Sequence, residues 1–309
     1  MFSETKNGFT VNFKQYLLDE EGNERTSKPF SIIDGIYTQH GTNEIKEHFG
    51  DGKTFSFPKP STLIREIQKI FFDTDYLVLD FFAGSCATAE SVLRLNAEDG
   101  GKRRFIMVQL PEPCGADSVA YKQDMQTIAD IGKERIRRAI SKIENERKCE
   151  NANSGRHLPG MEKVESLPDE GFKVFKLESS SVQPWEAEFD TVEKSLIDSI
   201  DKIKHDRTES DVLYELLLKY GLDLTEPIDE REIAGSTVYS VGSGALIVCL
   251  AKTIGLDIVE GIVALKEELK PEVMRVVFRD SGFKDDVVKA NAVQILKQAG
   301  LADEQIRSL

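Results

Sequence analysis

Tyr76-Leu77-Val78-Leu79-Asp80-Phe81-Phe82-Ala83-Gly84-Ser85-Cys86-Ala87-Thr88 decides how the chain is read. Residues 76–82 form a near-continuous apolar run, the pattern of a parallel strand buried on both faces. A turn of small residues follows at 83–87. Residues 88–97 read as a helix, with Ala89, Val92, Leu93 and Ala97 spaced for one face. Asp99-Gly100-Gly101 ends it. Residues 105–110 (FIMVQL) form a second buried strand. Strand, turn, helix, strand is a βαβ unit, which crosses over right-handed.

Upstream, Phe57-Pro58-Lys59-Pro60 breaks the chain, and Ser61 is placed to cap a helix to residue 71 bearing Leu63, Ile64, Ile67 and Ile70 on one face. A short helix is expected at 42–49. Residues 11–18 and 25–31 read as a hairpin joined by turn residues, which must lie against another element to persist. Downstream, a long basic amphipathic helix is expected at 126–148. A linker of Gly, Asn, Ser and Pro follows it, and we place a domain boundary at 155. Beyond it, strands are expected at 172–177, 237–241, 244–250 and 272–279. Helices are expected at 190–205, 209–220, 257–268 and 284–299, making a second, smaller α/β domain.

The chain has 309 residues and a net charge of −14. The acidity is uneven: residues 1–150 hold 21 basic and 24 acidic residues, net −3, and the remainder holds 19 and 30, net −11. A chain this acidic does not wrap DNA non-specifically by itself, because phosphate neutralisation needs clustered Lys and Arg. No apolar run reaches the roughly 20 residues that span a bilayer, and residues 1–8 carry no secretory signal pattern. The four cysteines, Cys86, Cys114, Cys149 and Cys249, form no CxxC pair and read as reduced thiols with no metal site. His40 and His48 read as surface or satisfied loop residues.

The chemistry sits where the first buried strand ends. In open α/β sheets, ligands bind beyond the carboxyl ends of the strands. Asp80 places a carboxylate there, Gly84 lets the backbone approach a ligand, and the next helix offers its N-terminus. This suits S-adenosylmethionine, which carries an ammonium and a sulfonium. It suits a dinucleotide less well, since G-x-G-x-x-G is absent, and G-K-[ST] is absent too, which excludes a P-loop. On pattern alone, a buried strand followed by an ordinary turn reads equally well.

The segments FPKPSTLIREI, LDFFAGSCATAESVLRLNAEDGGKRRFIMVQLPEP and VVFRDSGFKDDVVKANAVQILKQAG resemble the adenine-specific DNA methyltransferases, in particular the modification (Mod) subunits of type III restriction systems. The resemblance implies a partial methyltransferase (Rossmann-like) sheet. Residues 1–55 would end a target-recognition region, 56–154 would bind S-adenosylmethionine, and 155–309 would form an acidic C-terminal α/β domain. It assigns Asp80, Phe82, Ala83, Gly84 and Ser85 to the methionine moiety, with Thr88 lining the same pocket. Lys59 and Pro60 would close its other side. Gln109 would stand where the ribose hydroxyls are bound, with Glu112 as a substitute.

Two departures qualify this. Cys86 stands where the family has a second glycine; a positive φ there would cost about 1 kcal/mol or more, and the thiol would crowd the cofactor or act as a reactive group at a helix N-terminus. The catalytic [DNS]PP[YFW] tetrapeptide is also absent. In this class it lies upstream with most of the DNA-reading region, so no catalytic residue is assigned. The expectation is the cofactor-binding part of an adenine-N6 methyltransferase, cytoplasmic, inactive alone, and touching DNA through regions this chain lacks. It would be a homodimer able to meet a restriction (Res) subunit, with no membrane contact. The alternative is a non-catalytic assembly module with a degenerate cofactor loop.

Overall fold

The computed structural model describes residues 2–5, 8–11, 32–153, 171–182 and 203–309. They form a mixed α/β chain of two compact units, Met1–Phe172 and Lys173–Leu309. The boundary expected at 155 falls within residues 154–170, outside the described set, as does most of the helix expected at 190–205.

In the first unit, β1 (Phe2–Thr5) and β2 (Gly8–Val11) pair antiparallel. The hairpin expected from 11 to 31 lies, apart from Val11, outside the described residues. Next come α1 (Thr38–Phe49), α2 (Ser61–Gln68), β3 (Leu77–Asp80), α3 (Ala87–Asp99), β4 (Arg104–Met107), α4 (Val119–Lys122) and α5 (Ile128–Asn153). β3 and β4 are parallel, with Asp80 opposite Met107, and α3 is their crossover. Helices α3 and α5 cover one face of this pair, where Ala89, Leu93, Ile136, Ala139 and Ile143 pack against Phe105 and Met107.

The other face is open, which corrects the expectation of a strand buried on both sides. Leu77 and Leu79 are each 50% exposed, and Ile106 and Val108 are exposed beside them. An apolar run records what a strand can bury; whether it does depends on a second layer, and no helix among the described residues of this unit supplies one here. Likewise α2 ends at Gln68, earlier than expected, and Ile67 and Ile70 are exposed.

The second unit shows the other outcome. Its elements are α6 (Glu209–Tyr220), β5 (Ile228–Ile233), β6 (Ser236–Val241), β7 (Leu246–Cys249), α7 (Leu256–Leu269), β8 (Arg275–Phe278), α8 (Asp286–Gln298) and β9 (Ile306–Ser308). The sheet order is β5-β6-β7-β8-β9, antiparallel through β7 and parallel from β7 to β9. Helices α7 and α8 bury Ile247, Cys249, Val276 and Phe278 on one face, while α6 buries Leu246, Val248 and Val277 on the other. Every residue of β7 is therefore buried, each large aliphatic contributing about 2 kcal/mol. Sequence reading places α6, α7, α8 and three of these strands within a few residues. It misses β5 and β9, and its strand at 172–177 is not formed. No helix among the described residues is long and apolar enough to cross a membrane.

Candidate functional site

The turn after β3 is held by the strand ends it joins. Asp80 Oδ1 accepts from the Phe82 amide at 3.1 Å, and Oδ2 accepts from the Thr88 hydroxyl at 2.6 Å. The Ala83 amide donates to the Val108 carbonyl at 3.1 Å. The Gly84 amide donates to Gln109 Oε1 at 2.7 Å. The other end of the Gln109 amide donates to the Leu110 carbonyl, so this side chain braces the loop. Asp80, Ala83, Gly84, Ser85, Thr88 and Gln109 are thus brought together, and Phe82 stands 90% exposed at the rim.

Gly84 has φ +52° and an ideal Cβ there would lie 3.3 Å from the Phe55 ring. Cys86 follows with φ +59° at the N-cap of α3, a left-handed conformation costing on the order of 1 kcal/mol for a side-chain-bearing residue. Burial offsets this. Cys86 packs with Ala83, Ala89, Leu93 and Ile136, and its Sγ sits over Gly132 of α5, where a Cβ would come within 2.6 Å of it. The thiol points into the core, so the expected crowding of the loop mouth is not what this geometry produces. Burial also pushes the thiol up to about 11 against the opposing Arg135 charge, which overturns the reactive-thiol reading.

Behind the loop lies a buried ionic cluster that the sequence reading missed. Arg135 of α5 is 0% exposed. Its Nε donates to Glu90 Oε2 at 2.7 Å, Nη1 to Ser85 Oγ at 2.9 Å, and Nη2 to Glu44 Oε2 at 2.7 Å. His48 Nε2 lies 3.0 Å from Glu90 Oε2; a carboxylate only accepts, so that nitrogen carries the proton. The His48 side chain is 3% exposed and lies in α1, which corrects its reading as a surface or satisfied loop residue: it is satisfied, but within a helix. Burial pushes the Glu90 carboxyl up, but the His48 hydrogen bond and the Arg135 charge prevail and hold it well below the usual carboxylate range.

The same cluster reaches Lys59 and Pro60. Both Glu44 oxygens accept from the Ser61 amide, at 2.8 and 3.1 Å. Pro60 is the N-cap of α2 and Ser61 its first residue, so Glu44 performs the capping expected of Ser61. Lys59 lines a cleft of about 460 Å³ with Thr38, Gln39, Phe55 and Phe57. Asp80, Thr88 and Gln109 do not line that cleft; Phe55 connects the two places, touching both the cleft and the Gly84 position.

The loop presents a carboxylate whose oxygens keep accepting capacity, a backbone with no Cβ at Gly84, and a helix N-terminus. The carboxylate suits a cationic group, whereas the helix N-terminus suits an anionic one.

No family model matches the chain. Over 117 residues it is 41% identical to the Mod subunit of the type III restriction-modification enzyme StyLTI of Salmonella typhimurium, covering 38% of this chain and 18% of that protein. Over 119 residues it is 42% identical to the EcoPI Mod subunit of Escherichia phage P1, covering 38% and 18%. Its relatives are restriction-modification proteins. A third, the type II methyltransferase M.KpnI of Klebsiella pneumoniae, is 41% identical over 96 residues, 31% of this chain and 23% of the relative. The chain spans about a fifth of the length of these Mod subunits.

Arg135 and Glu90 left a faint trace in the sequence. Arg135 falls four residues from both Ile131 and Ala139, on the buried stripe of α5. A charge in such a stripe needs a partner, but the partners are 45 and 91 residues away.

Proposed function

We propose that residues 56–154 bind S-adenosylmethionine as part of a cytoplasmic DNA methyltransferase of the Mod type, acting on adenine N6. The carrying observation is the Asp80–Gly84–Thr88 turn, with a carboxylate, a side-chain-free approach and a helix N-terminus at the end of a parallel strand. Similarity to Mod subunits and to a type II methyltransferase supports it. Asp80 would receive the cationic methionine end, the 82–85 backbone would line it, and Lys59 and Pro60 would close the far side. Gln109 would hold the loop and Glu112 would be left for the ribose. When bound, the cofactor supplies an activated methyl group. This chain supplies binding and orientation, and lacks the PP-containing tetrapeptide that would hold a flipped adenine. Labelled methyl transfer to duplex DNA by this chain alone would therefore be nil.

Thermal unfolding with added ligand tests the reading, since a ligand that binds only the native state raises the melting temperature. S-adenosylhomocysteine raises it and NAD does not; the reverse result transfers the site to dinucleotides.

The exposed face of Leu77, Leu79, Ile106 and Val108 favours a second role. Parallel sheets are covered on both faces, so this surface suits assembly, as a homodimer or against a Res subunit and the remaining length of a Mod subunit. A strictly monomeric chain in light scattering at high concentration counts against the homodimer.

A further inference from the structure

We infer that Arg135 is the positioning residue that locks the glycine loop and the start of α2 into one rigid cofactor wall. The inference rests on the cofactor reading above and adds a residue outside the loop to it.

The three guanidinium hydrogen bonds leave in three directions. One reaches Ser85, between the positive-φ residues Gly84 and Cys86. One reaches Glu90 in the first turn of α3. The third reaches Glu44 on α1, whose carboxylate holds the Ser61 amide directly after Lys59-Pro60. A planar fork can satisfy three separated acceptors at once, whereas a lysine ammonium on the same backbone cannot reproduce that geometry. The two walls named for the cofactor are thus tied through the fully buried Arg135 and, on the α2 side, through Glu44.

Gly84 takes its positive φ freely, but the left-handed Cys86 two residues on is strained and needs its surroundings to hold it. Hydrogen bonds to a charged partner are stronger than neutral ones, and the one from Arg135 to Ser85 lies between the two positive-φ residues. A loop held only a tenth of the time would bind its ligand about ten times more weakly, because affinity scales with the competent fraction.

Hydrogen exchange on the full chain tests the coupling without any ligand. In Arg135→Lys, protection of the Ser61 and Gly84 amides falls together, by about tenfold or more, while the α5 amides keep theirs. Glu44→Ala gives the sharper result: protection falls at Gly84, which Glu44 does not touch. Loss confined to Ser61 in that variant overturns the proposal, and so does uniform loosening of the whole unit in both variants. In calorimetry with S-adenosylhomocysteine at a temperature where the variant is still folded, Ser85→Ala, which lowers the melting temperature by leaving Arg135 Nη1 underpaired, weakens binding severalfold; an unaltered affinity contradicts the positioning role. If the parent chain takes up no S-adenosylhomocysteine, the cofactor reading fails, and the exchange data still decide whether Arg135 couples the two segments.

Discussion

The Sγ of Cys86 and the bare Cα of Gly132 fit together as knob and hole: a Cβ on Gly132 would lie 2.6 Å from the sulfur. Cys86 occupies a left-handed position otherwise suited to glycine, and a true glycine on the facing helix gives its side chain room. Gly132→Ala is expected to destabilise the chain by about 1–3 kcal/mol through overpacking. Cys86→Gly removes both the backbone strain and the sulfur, and restores most of the loss when combined with Gly132→Ala. Additive effects in denaturant unfolding would show that the two residues are not in contact.

Thiol labelling separates the cysteines by burial. Cys149 is exposed, while Cys86 and Cys249 are buried, and burial holds the Cys86 thiol at about 11. Since the thiolate is the nucleophile, alkylation of the native chain at pH 8 modifies Cys149 quickly and Cys86 only on unfolding. Rapid labelling of Cys86 would contradict the packed thiol.

Acid sensitivity follows from Glu90. Its folded pKa is depressed, so its contribution is complete above the unfolded value of 4.5 and is lost as pH falls below it. Arg135, His48, Arg94 and Glu44 surround this group or its partners. Urea unfolding of the first unit is expected to weaken steadily from about pH 4.5 downward. Glu90→Gln flattens that dependence and costs about 3–5 kcal/mol at neutral pH, the penalty of leaving a buried guanidinium underpaired. A parent chain as stable at pH 3 as at pH 7 would contradict the ionised Glu90.

Sequence reading reached the local parts of this molecule and stopped where distant segments meet. The span of α3, its glycine stop and the turn at 83–87 were legible because neighbouring residues set them. The open face of β3 was not, because YLVLDFF reads the same whether or not a second layer covers it. β7, with the same kind of apolar run, is covered on both faces. Strand β5 was missed because Ile228–Ile233 (IDEREI) carries four charges among its six residues at a sheet edge, a common way of protecting an edge strand. At the site, Asp80, Gly84 and Thr88 were legible as one motif. Glu44, His48, Glu90 and Arg135 were not, because only the fold brings α1, α3 and α5 to one point.

Titration calorimetry with S-adenosylmethionine, on the parent chain and on Asp80→Ala, tests the central claim most directly. The account predicts micromolar binding by the parent, about −8 kcal/mol, weakened at least about tenfold in the variant by loss of a charged partner. No heat from a folded parent chain at millimolar ligand, or equal affinity in the two proteins, would contradict a cofactor site at Asp80.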